Sequence, residues 1–189
     1  MFIDKVGRGK FNFLESIQFF NILYTFLFTC GIIHKEVSMN KFMKIAISEA
    51  KRGISLGHGG PFGAVIVKDG KIISKGHNRV VVNNDPTCHG EIDAIRKACK
   101  TLKTFDLSGC EIYTTGYPCP MCFCAILWAN IDKVYYGCNT TDTEIIGFRD
   151  KVFEEIIPAQ KSNLCEEMDR KECLTLYNEY KNNENKKHY

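Results

Sequence analysis

The alternation of helical and strand-like segments after Met39 is the strongest constraint on the fold of this chain. The segment "NKFMKIAISEAKRGISLG" places its apolar residues on one helical face, and "PFGAVIVKDGKIISKGHNRV" holds two β-rich runs joined by Asp69 and Gly70, a strong hairpin signal. The sequence then predicts a helix, a strand, a helix and a strand, in "CHGEIDAIRKACKTL", "GCEIYTT", "CPMCFCAILWAN" and "IDKVYYGC". Such alternation indicates a sheet with helices on both faces, so we predict an α/β layered fold. With 189 residues, 44% of them hydrophobic, the chain has enough apolar material for one such domain.

Residues 1–38 do not follow this pattern. The apolar run Phe19–Ile33 comes after several basic residues, which is the charge order of a secretory signal or a membrane anchor. The run is shorter than the roughly 20 residues of a transmembrane helix, and no clean small-residue cleavage site follows it. Lys35–Met39 can be encoded by a purine-rich stretch like a bacterial ribosome-binding site before a start codon. We expect an upstream extension that is not native, with the domain at residues 39–189; an anchor and then a signal peptide are the alternatives.

Charge and cysteine content narrow the class of protein. The formal net charge is +3, and acidic and basic residues are interleaved, so composition favours neither a nucleic-acid partner nor an acidic membrane surface. Ten cysteines are far fewer per residue than in a small disulfide scaffold, and an apolar core makes bridges unnecessary. We expect most of them to be reduced and the protein to be cytoplasmic, with no membrane contact unless residues 1–38 are a true anchor.

Two cysteines stand three residues apart where a helix is expected to begin. Cys119 and Cys122 follow Pro118, so their sulfur atoms point the same way from one helical turn. Unpaired N–H groups and the helix dipole favour thiolates there, which suits both zinc binding and redox chemistry. The pair alone is therefore ambiguous. Cys124 falls on the opposite side of the same helix, and we expect it to be a core residue rather than a ligand.

The stretch "PTCHGEIDAI" supplies the residues that favour zinc. His89 and Glu91 open the other helix, and at its first turn both side chains can reach a centre that lies off the helix end. Two helices meeting end-on would offer His89, Cys119 and Cys122 to one ion, with the fourth tetrahedral position left for water. Three protein ligands and one open position are typical of catalytic zinc. Glu91 would stand beside the water as a base; the alternative is a redox cysteine pair with an unrelated histidine.

H-x-E followed by P-C-x-x-C is the signature of zinc deaminases, in which the glutamate is an acid/base and not a ligand. Over Met39 to Tyr189 the chain resembles the cytidine and deoxycytidylate deaminase superfamily, and within it the small bacterial guanine deaminases. The resemblance rests on "GGPFGAVIVKDG", "NNDPTCHGEIDAIRKACK", "PCPMC" with "AILWA", "TDTEIIGFRD" and the terminal "NKKHY". It implies a three-layer α/β/α sandwich around a mixed five-stranded sheet. It also implies a homodimer in which the C-terminal segment, residues 151–189, is exchanged between subunits.

The resemblance also assigns further site residues. Asn78 would hydrogen-bond a purine, Phe62 would pack on it, and Asp150 would help to shuttle protons. Trp128 and Tyr189 would line or cap the site, with Tyr189 closing the partner's pocket. Each has a plainer alternative: a turn role for Asn78, the core for Phe62 and Trp128, and a solvated helix position for Asp150.

At two positions the sequence departs from the family. Gly90 stands where the family usually has alanine, which lowers helix propensity by roughly 1 kcal/mol. Tyr117 stands where glutamate usually precedes Pro-Cys, beside the zinc loop. The change at Tyr117 bears on which ring is recognised more than on the chemistry.

These observations predict zinc-dependent hydrolytic deamination of a free purine base, with guanine converted to xanthine and ammonia. A tRNA adenosine deaminase is the nearest alternative, but residues 1–38 carry four basic and three acidic side chains, so the rest of the chain has a formal charge of only +2. Cytosine or another small aminated heterocycle is a second alternative. A zinc-stabilised binding module without activity is a third, against which the intact Glu91 argues.

Overall fold

The computed structural model describes residues 38–156, 165–184 and 186, and for residues 154–156 it describes the backbone alone. The chain divides into Met1–Ser38 and Met39–Tyr189, and the sheet and its helices all belong to the second unit. The predictions for residues 1–38 fall almost entirely outside the described residues and stay predictions. None of the helices in the described part of the chain has the length and hydropathy of a membrane span.

The sheet has five strands in the order β2-β1-β3-β4-β5. β1 pairs antiparallel with both β2 and β3, while β4 lies parallel to both β3 and β5, so the sheet is mixed, as predicted. Asp69 and Gly70 join β1 to β2 with φ angles of 50° and 70°, which is the positive-φ pair of a tight hairpin turn. The strands are β1 Gly63–Lys68, β2 Lys71–His77, β3 Cys110–Gly116, β4 Lys133–Cys138 and β5 Cys165–Glu167.

Seven helices are assigned in the described part of the chain. The first begins where the sequence predicts it, because the side chain of Asn40 accepts hydrogen bonds from the backbone N–H groups of Phe42 and Met43. The short helix α2 was not predicted, since four residues are too few for a periodic pattern. The helices are α1 Lys41–Ser55, α2 Val80–Asn83, α3 Gly90–Leu102, α4 Pro120–Trp128, α5 Thr140–Ile145, α6 Asp150–Ile156 and α7 Arg170–Lys181.

The helices cover both faces of the sheet. Along β1, Val65 and Val67 point into a core with α1 and α7, whereas Ala64 and Ile66 point into a second core with α3 and α4. Both faces of β1 are buried, and this strand is accordingly a near-continuous apolar run. The predicted three-layer α/β/α sandwich is confirmed.

The C-terminal elements complete one edge and one face of the sheet. β5 pairs with β4, and α7 packs on β4. Arg170 at the start of α7 forms an ion pair with the buried carboxylate of Asp142, which also closes a capping box with Asn139 at the start of α5. The link between α6 and β5, residues 157–164, lies outside the described residues. Exchange of the C-terminal segment, residues 151–189, between subunits therefore stays a prediction.

Candidate metal centre and active site

The starts of α3 and α4 meet at one point. His89 and Cys119 are the N-cap residues of these two helices, and neither side chain makes a capping hydrogen bond. Both side chains are therefore free to turn outward beyond the helix ends. Pro120 at the first position of α4 has no N–H that would need a partner there.

His89, Cys119 and Cys122 have the spacing of a zinc site. Their ligand atoms all lie within 4.8 Å of one another, and Nδ1 of His89 is 3.6 Å from Sγ of Cys119. A tetrahedral zinc with Zn–S of about 2.3 Å and Zn–N of about 2.0 Å requires an S to N separation of about 3.5 Å. The side chains thus fit zinc without rearrangement, as the sequence predicts.

The two thiols differ in acidity in the metal-free protein. A hydrogen bond from Cys122 lowers the pKa of the Cys119 thiol to about 4, with a further contribution from His89. Burial raises the pKa of Cys122 well above its ordinary value. Burial disfavours the charged form of His89, but its hydrogen bond to Cys119 and the negative charge there raise the pKa of the imidazole overall. Cys119 is therefore the thiol that reaches the metal-binding thiolate form more readily.

Glu91 lies beside the ligands but is not one of them. Its side chain is only 4% exposed, and burial raises the pKa of the carboxyl above its ordinary value. The hydroxyl of Thr114 on β3 donates to Oε1 at 3.3 Å, and Sγ of Cys122 lies 3.6 Å from Oε2. A buried carboxyl held at both oxygens is placed to take and return a proton at the metal centre.

A cavity of about 430 Å³ opens over this centre. Its volume lies within the usual range of small-molecule sites. The structure brings six of the predicted side chains to its wall, with Cys122 beneath Cys119. These six are Phe62, Asn78, His89, Glu91, Cys119 and Asp150.

Asn78 is fully buried and has a free donor. Its Oδ1 accepts a hydrogen bond from the backbone N–H of Val80 at 3.2 Å, whereas Nδ2 has no partner among the described residues. A buried amide nitrogen without a partner costs free energy in the empty cavity and is satisfied by an acceptor on a ligand. Gly59 permits this arrangement, because a Cβ at that position would overlap the Asn78 amide oxygen.

Phe62 forms one wall of the cavity. Its ring packs edge-on against Phe148 at 4.9 Å between centroids and against Tyr177 at 5.9 Å. A Cβ on Gly90 would lie 2.8 Å from the backbone oxygen of Phe62, so the close approach of the two backbones favours glycine at this position.

Asp150 and Tyr117 approach the centre from other elements. Asp150 begins α6, and burial together with the negative charge of Cys119 raises the pKa of its carboxyl to about 6. Tyr117 packs edge-on against Tyr136 at 4.9 Å and shares a hydrogen bond with the side chain of Cys165. Tyr117 therefore forms part of the cavity wall, so this departure from the family lies where a ring would bind.

Three predicted positions need correction or fall outside the structure. Trp128 does not reach the cavity of its own chain, because it stands at the last turn of α4 with 85% of its surface exposed. It lies in a separate, shallow depression with Cys124, so the expectation that Cys124 is a core residue is wrong. The period of the helix turns both side chains away from the sheet. Tyr189 lies outside the described residues.

Comparison with known proteins gives the family. The sequence profile of the cytidine and deoxycytidylate deaminase zinc-binding region matches residues 37–138, more than half of the chain, and that span contains the whole predicted ligand set. The chain belongs to this deaminase family. It is an enzyme family with a zinc-binding region, and the ligand geometry agrees with that assignment.

Several relatives of this deaminase are similar over long stretches. Guanine deaminase of Bacillus subtilis (strain 168) is 45% identical over 151 residues, which is 78% of this chain and 97% of that protein. Its crystal structure superposes with a TM-score of 0.59 over 80% of this chain and 99% of the other. A structure of guanine deaminase from Nitrosomonas europaea, 26% identical, has a TM-score of 0.65 over 77% of this chain and 87% of its own.

A second activity occurs among the relatives. The tRNA-specific adenosine deaminase of Aquifex aeolicus (strain VF5) is 50% identical over 96 residues, covering 51% of this chain and 63% of that protein. This identity is higher than the 45% to the guanine deaminase, but it extends over 96 residues rather than 151.

Sequence reasoning missed part of the cavity wall in this deaminase. Phe148 and Arg149 line the cavity beside Asp150, and Pro86, Pro120, Met121 and Phe153 complete the wall. Phe148 and Arg149 lie within the segment "GFRD", so their position next to a predicted site residue was the available signal. Their side-chain directions depend on the packing of α6, which the sequence pattern does not specify.

Proposed function

We propose that this deaminase hydrolyses guanine to xanthine and ammonia. The observation that carries the proposal is the buried Glu91 beside three zinc ligands at the base of a cavity large enough for a purine. The choice of guanine is supported by the 45% identity to a guanine deaminase along 97% of that protein's length.

The chain's own residues supply acid/base catalysis. Zinc bound by the three side chains would provide a water whose pKa is lowered towards about 7, as in other zinc hydrolases. Glu91 takes a proton from the attacking water, gives it to the adjacent ring nitrogen and then assists the departing amine, so that water adds to C2 and ammonia leaves. Thr114 holds one oxygen of Glu91, which fixes the carboxyl between water and ring.

The remaining residues hold the ring and relay protons. Nδ2 of Asn78 donates to an acceptor on the purine, and Phe62 packs against its face. Asp150 lines the cavity beside these groups and relays protons during the reaction. Replacing Asp150 by asparagine should lower kcat and leave zinc content unchanged.

The same proposal includes a cytoplasmic homodimer. Trp128 and Phe105 are 85% and 81% exposed and line one shallow depression, and an apolar surface of this kind favours association. In the dimer, Tyr189 of one subunit would close the cavity of the other, and residues 151–189 would be the exchanged segment. Sedimentation of the full-length protein gives the subunit number.

Ammonia release tests the function directly. The zinc-loaded, full-length protein is incubated separately with guanine, cytosine, adenine and an anticodon-loop RNA that contains adenosine. Turnover of guanine alone supports the proposal. If another base is turned over and guanine is not, hydrolytic deamination is supported but guanine is not the substrate.

The RNA arm tests the second candidate, tRNA adenosine deamination, which the Aquifex aeolicus relative favours. An RNA substrate would be bound through its phosphates, so its KM should rise steeply with salt concentration. KM for guanine, a neutral base, should respond little to salt.

A further inference from the structure

Arg149 brings a full positive charge to the rim of the cavity. It lines the cavity beside Asp150 and is itself exposed. Among the residues whose side chains the structure describes, no carboxylate forms an ion pair with its guanidinium. A cation at the mouth of a binding site, without a carboxylate partner, is free to bind a ligand.

The burial of the lining residues distinguishes the closed base of the cavity from its open mouth. Glu91 and Asn78 are buried and form its base, whereas Arg149 is exposed at its mouth. Phe148, the residue before Arg149, is fixed by its contact with the ring of Phe62 at 4.9 Å. The backbone that carries the guanidinium is therefore anchored to the wall against which a purine would pack.

Guanine offers this rim two acceptors. Its amine is on C2, which must face Glu91 for hydrolysis, and the carbon opposite C2 in the six-membered ring is C5. The acceptors O6 and N7 flank C5, so they point away from Glu91. An arginine that donates to O6 and N7 together is the commonest specific contact to guanine in protein–DNA complexes, because the guanidinium fork matches their spacing.

The other donors of the cavity lie elsewhere. Asn78 presents Nδ2 at the buried base, and Tyr117 shares its hydrogen bond with Cys165. Neither is at the exposed rim. Apart from the zinc ligands His89 and Cys119, the other described lining side chains are apolar or acidic.

We propose that Arg149 donates hydrogen bonds to O6 and N7 of bound guanine and so selects 6-oxopurines over 6-aminopurines. A 6-amino group places a donor where the guanidinium needs an acceptor, and adenine-type rings are therefore rejected. This inference rests on the proposed function and names the residue that reads the edge of the ring opposite the reacting carbon.

Binding of matched analogues tests Arg149. The test uses zinc-loaded, full-length Glu91→Gln protein, with and without Arg149→Gln, so that the ligands are not consumed. 2-Aminopurine, which is fluorescent and lacks O6, is titrated directly, and guanine and 7-deazaguanine, which lacks N7, are measured by competition. Arg149→Gln should weaken guanine binding by about 5- to 150-fold, the usual discrimination of a bidentate contact, and should weaken 2-aminopurine binding much less, because that ring keeps only the N7 acceptor. 7-Deazaguanine should show an intermediate loss.

Two further variants separate the contact from general charge. Arg149→Lys keeps the charge but not the fork, and should recover only part of the guanine affinity. Lys151→Gln removes a neighbouring cation that pairs with Glu144 at 3.1 Å and does not line the cavity, and should change nothing. Equal losses for guanine and 2-aminopurine, no loss for guanine, or the same loss in Lys151→Gln would overturn the proposal.

Failure of the inference is distinguishable from failure of the function. If the wild-type protein does not hydrolyse guanine but guanine binding depends on Arg149 and on O6, the proposed reaction is wrong and the contact stands. If guanine is hydrolysed with no dependence on Arg149, the reaction stands and the contact is wrong. If guanine does not bind, both are wrong.

Discussion

Nδ1 of His89 lies 3.6 Å from Sγ of Cys119, although thirty residues separate them in the sequence. Each residue is the N-cap of its helix, so the two helices approach one another end-on through these side chains. The metal centre thus joins the starts of α3 and α4 across the end of β3.

Cys119→Ser should remove zinc. A serine hydroxyl is a poor replacement for a thiolate, and the ligand set loses one of its three members. Metal content after dialysis, measured by atomic absorption, should fall from about one zinc per chain to a small fraction. Cys124→Ser is the matched control on the same helix, because Cys124 is exposed and outside the ligand set. Equal zinc in the two variants would contradict the assignment.

Glu91→Gln should keep zinc and abolish most of the turnover. Glutamine has the same shape and can still accept from Thr114, but it cannot take a proton from water. The expected loss in kcat is about 100- to 10,000-fold, the usual contribution of a positioned acid/base. Steady-state ammonia release measures the turnover, and metal analysis on the same sample measures the zinc content. Full activity of the variant would refute the acid/base role of Glu91.

Gly59→Ala should impair guanine turnover through Asn78. The added methyl group would overlap the amide oxygen of Asn78, so the side chain must move and Nδ2 leaves its position. A displacement of about 1 Å can cost about 100-fold in kcat/KM. Gly57→Asn is the control, since nothing lies near a Cβ there and asparagine tolerates the φ of +67°. Wild-type kinetics for Gly59→Ala would show that the amide is not held in this way.

Asp142→Asn should destabilise the fold at neutral pH. Burial opposes the charge of Asp142, but hydrogen bonds from Arg170 and from the backbone of Asn139 outweigh it, and the pKa of the carboxyl is lowered overall. A charge-assisted hydrogen bond contributes about 1.5 to 3 kcal/mol to the free energy of unfolding, which the variant should lose at pH 7.

The pH dependence of this loss has a fixed sign. A carboxyl whose pKa is lower in the folded than in the unfolded state stabilises fully above the unfolded value of about 3.9 and progressively less as the pH falls through the folded value. The difference between wild type and Asp142→Asn should therefore be constant from pH 7 to about pH 5 and shrink below about pH 4. Urea unfolding across this range measures it. Glu144→Gln, which removes an exposed pair with Lys151, should cost less than about 1 kcal/mol at every pH.

Local signals were enough to predict the ligand set. His89, Glu91, Cys119 and Cys122 all lie in the first turn of a helix or directly before it, and caps and short spacings are visible in the sequence. The hairpin at Asp69 was predictable for the same reason, because its turn residues are adjacent. Each of these features depends only on residues that lie close together in the sequence.

Features that depend on distant packing were not predictable. Trp128 was expected at the site and is exposed, because the direction of its side chain follows from how α4 rotates against the sheet. Arg149 reaches the cavity because it lies between Phe148, which packs against Phe62, and Asp150, which begins α6 and also lines the cavity. The pattern of apolar residues within α4 or α6 does not indicate where the side chains of Trp128 and Arg149 point.

Two groups of structural elements build the cavity. The metal and the acid/base come from the starts of α3 and α4, whereas Phe62, Asn78 and Arg149 come from a loop, a strand end and the approach to α6. Substitutions in the second group can alter the ring that is admitted without disturbing hydrolysis. One inherited core can therefore be retained while specificity diverges, which is consistent with relatives named for a free base and for a tRNA.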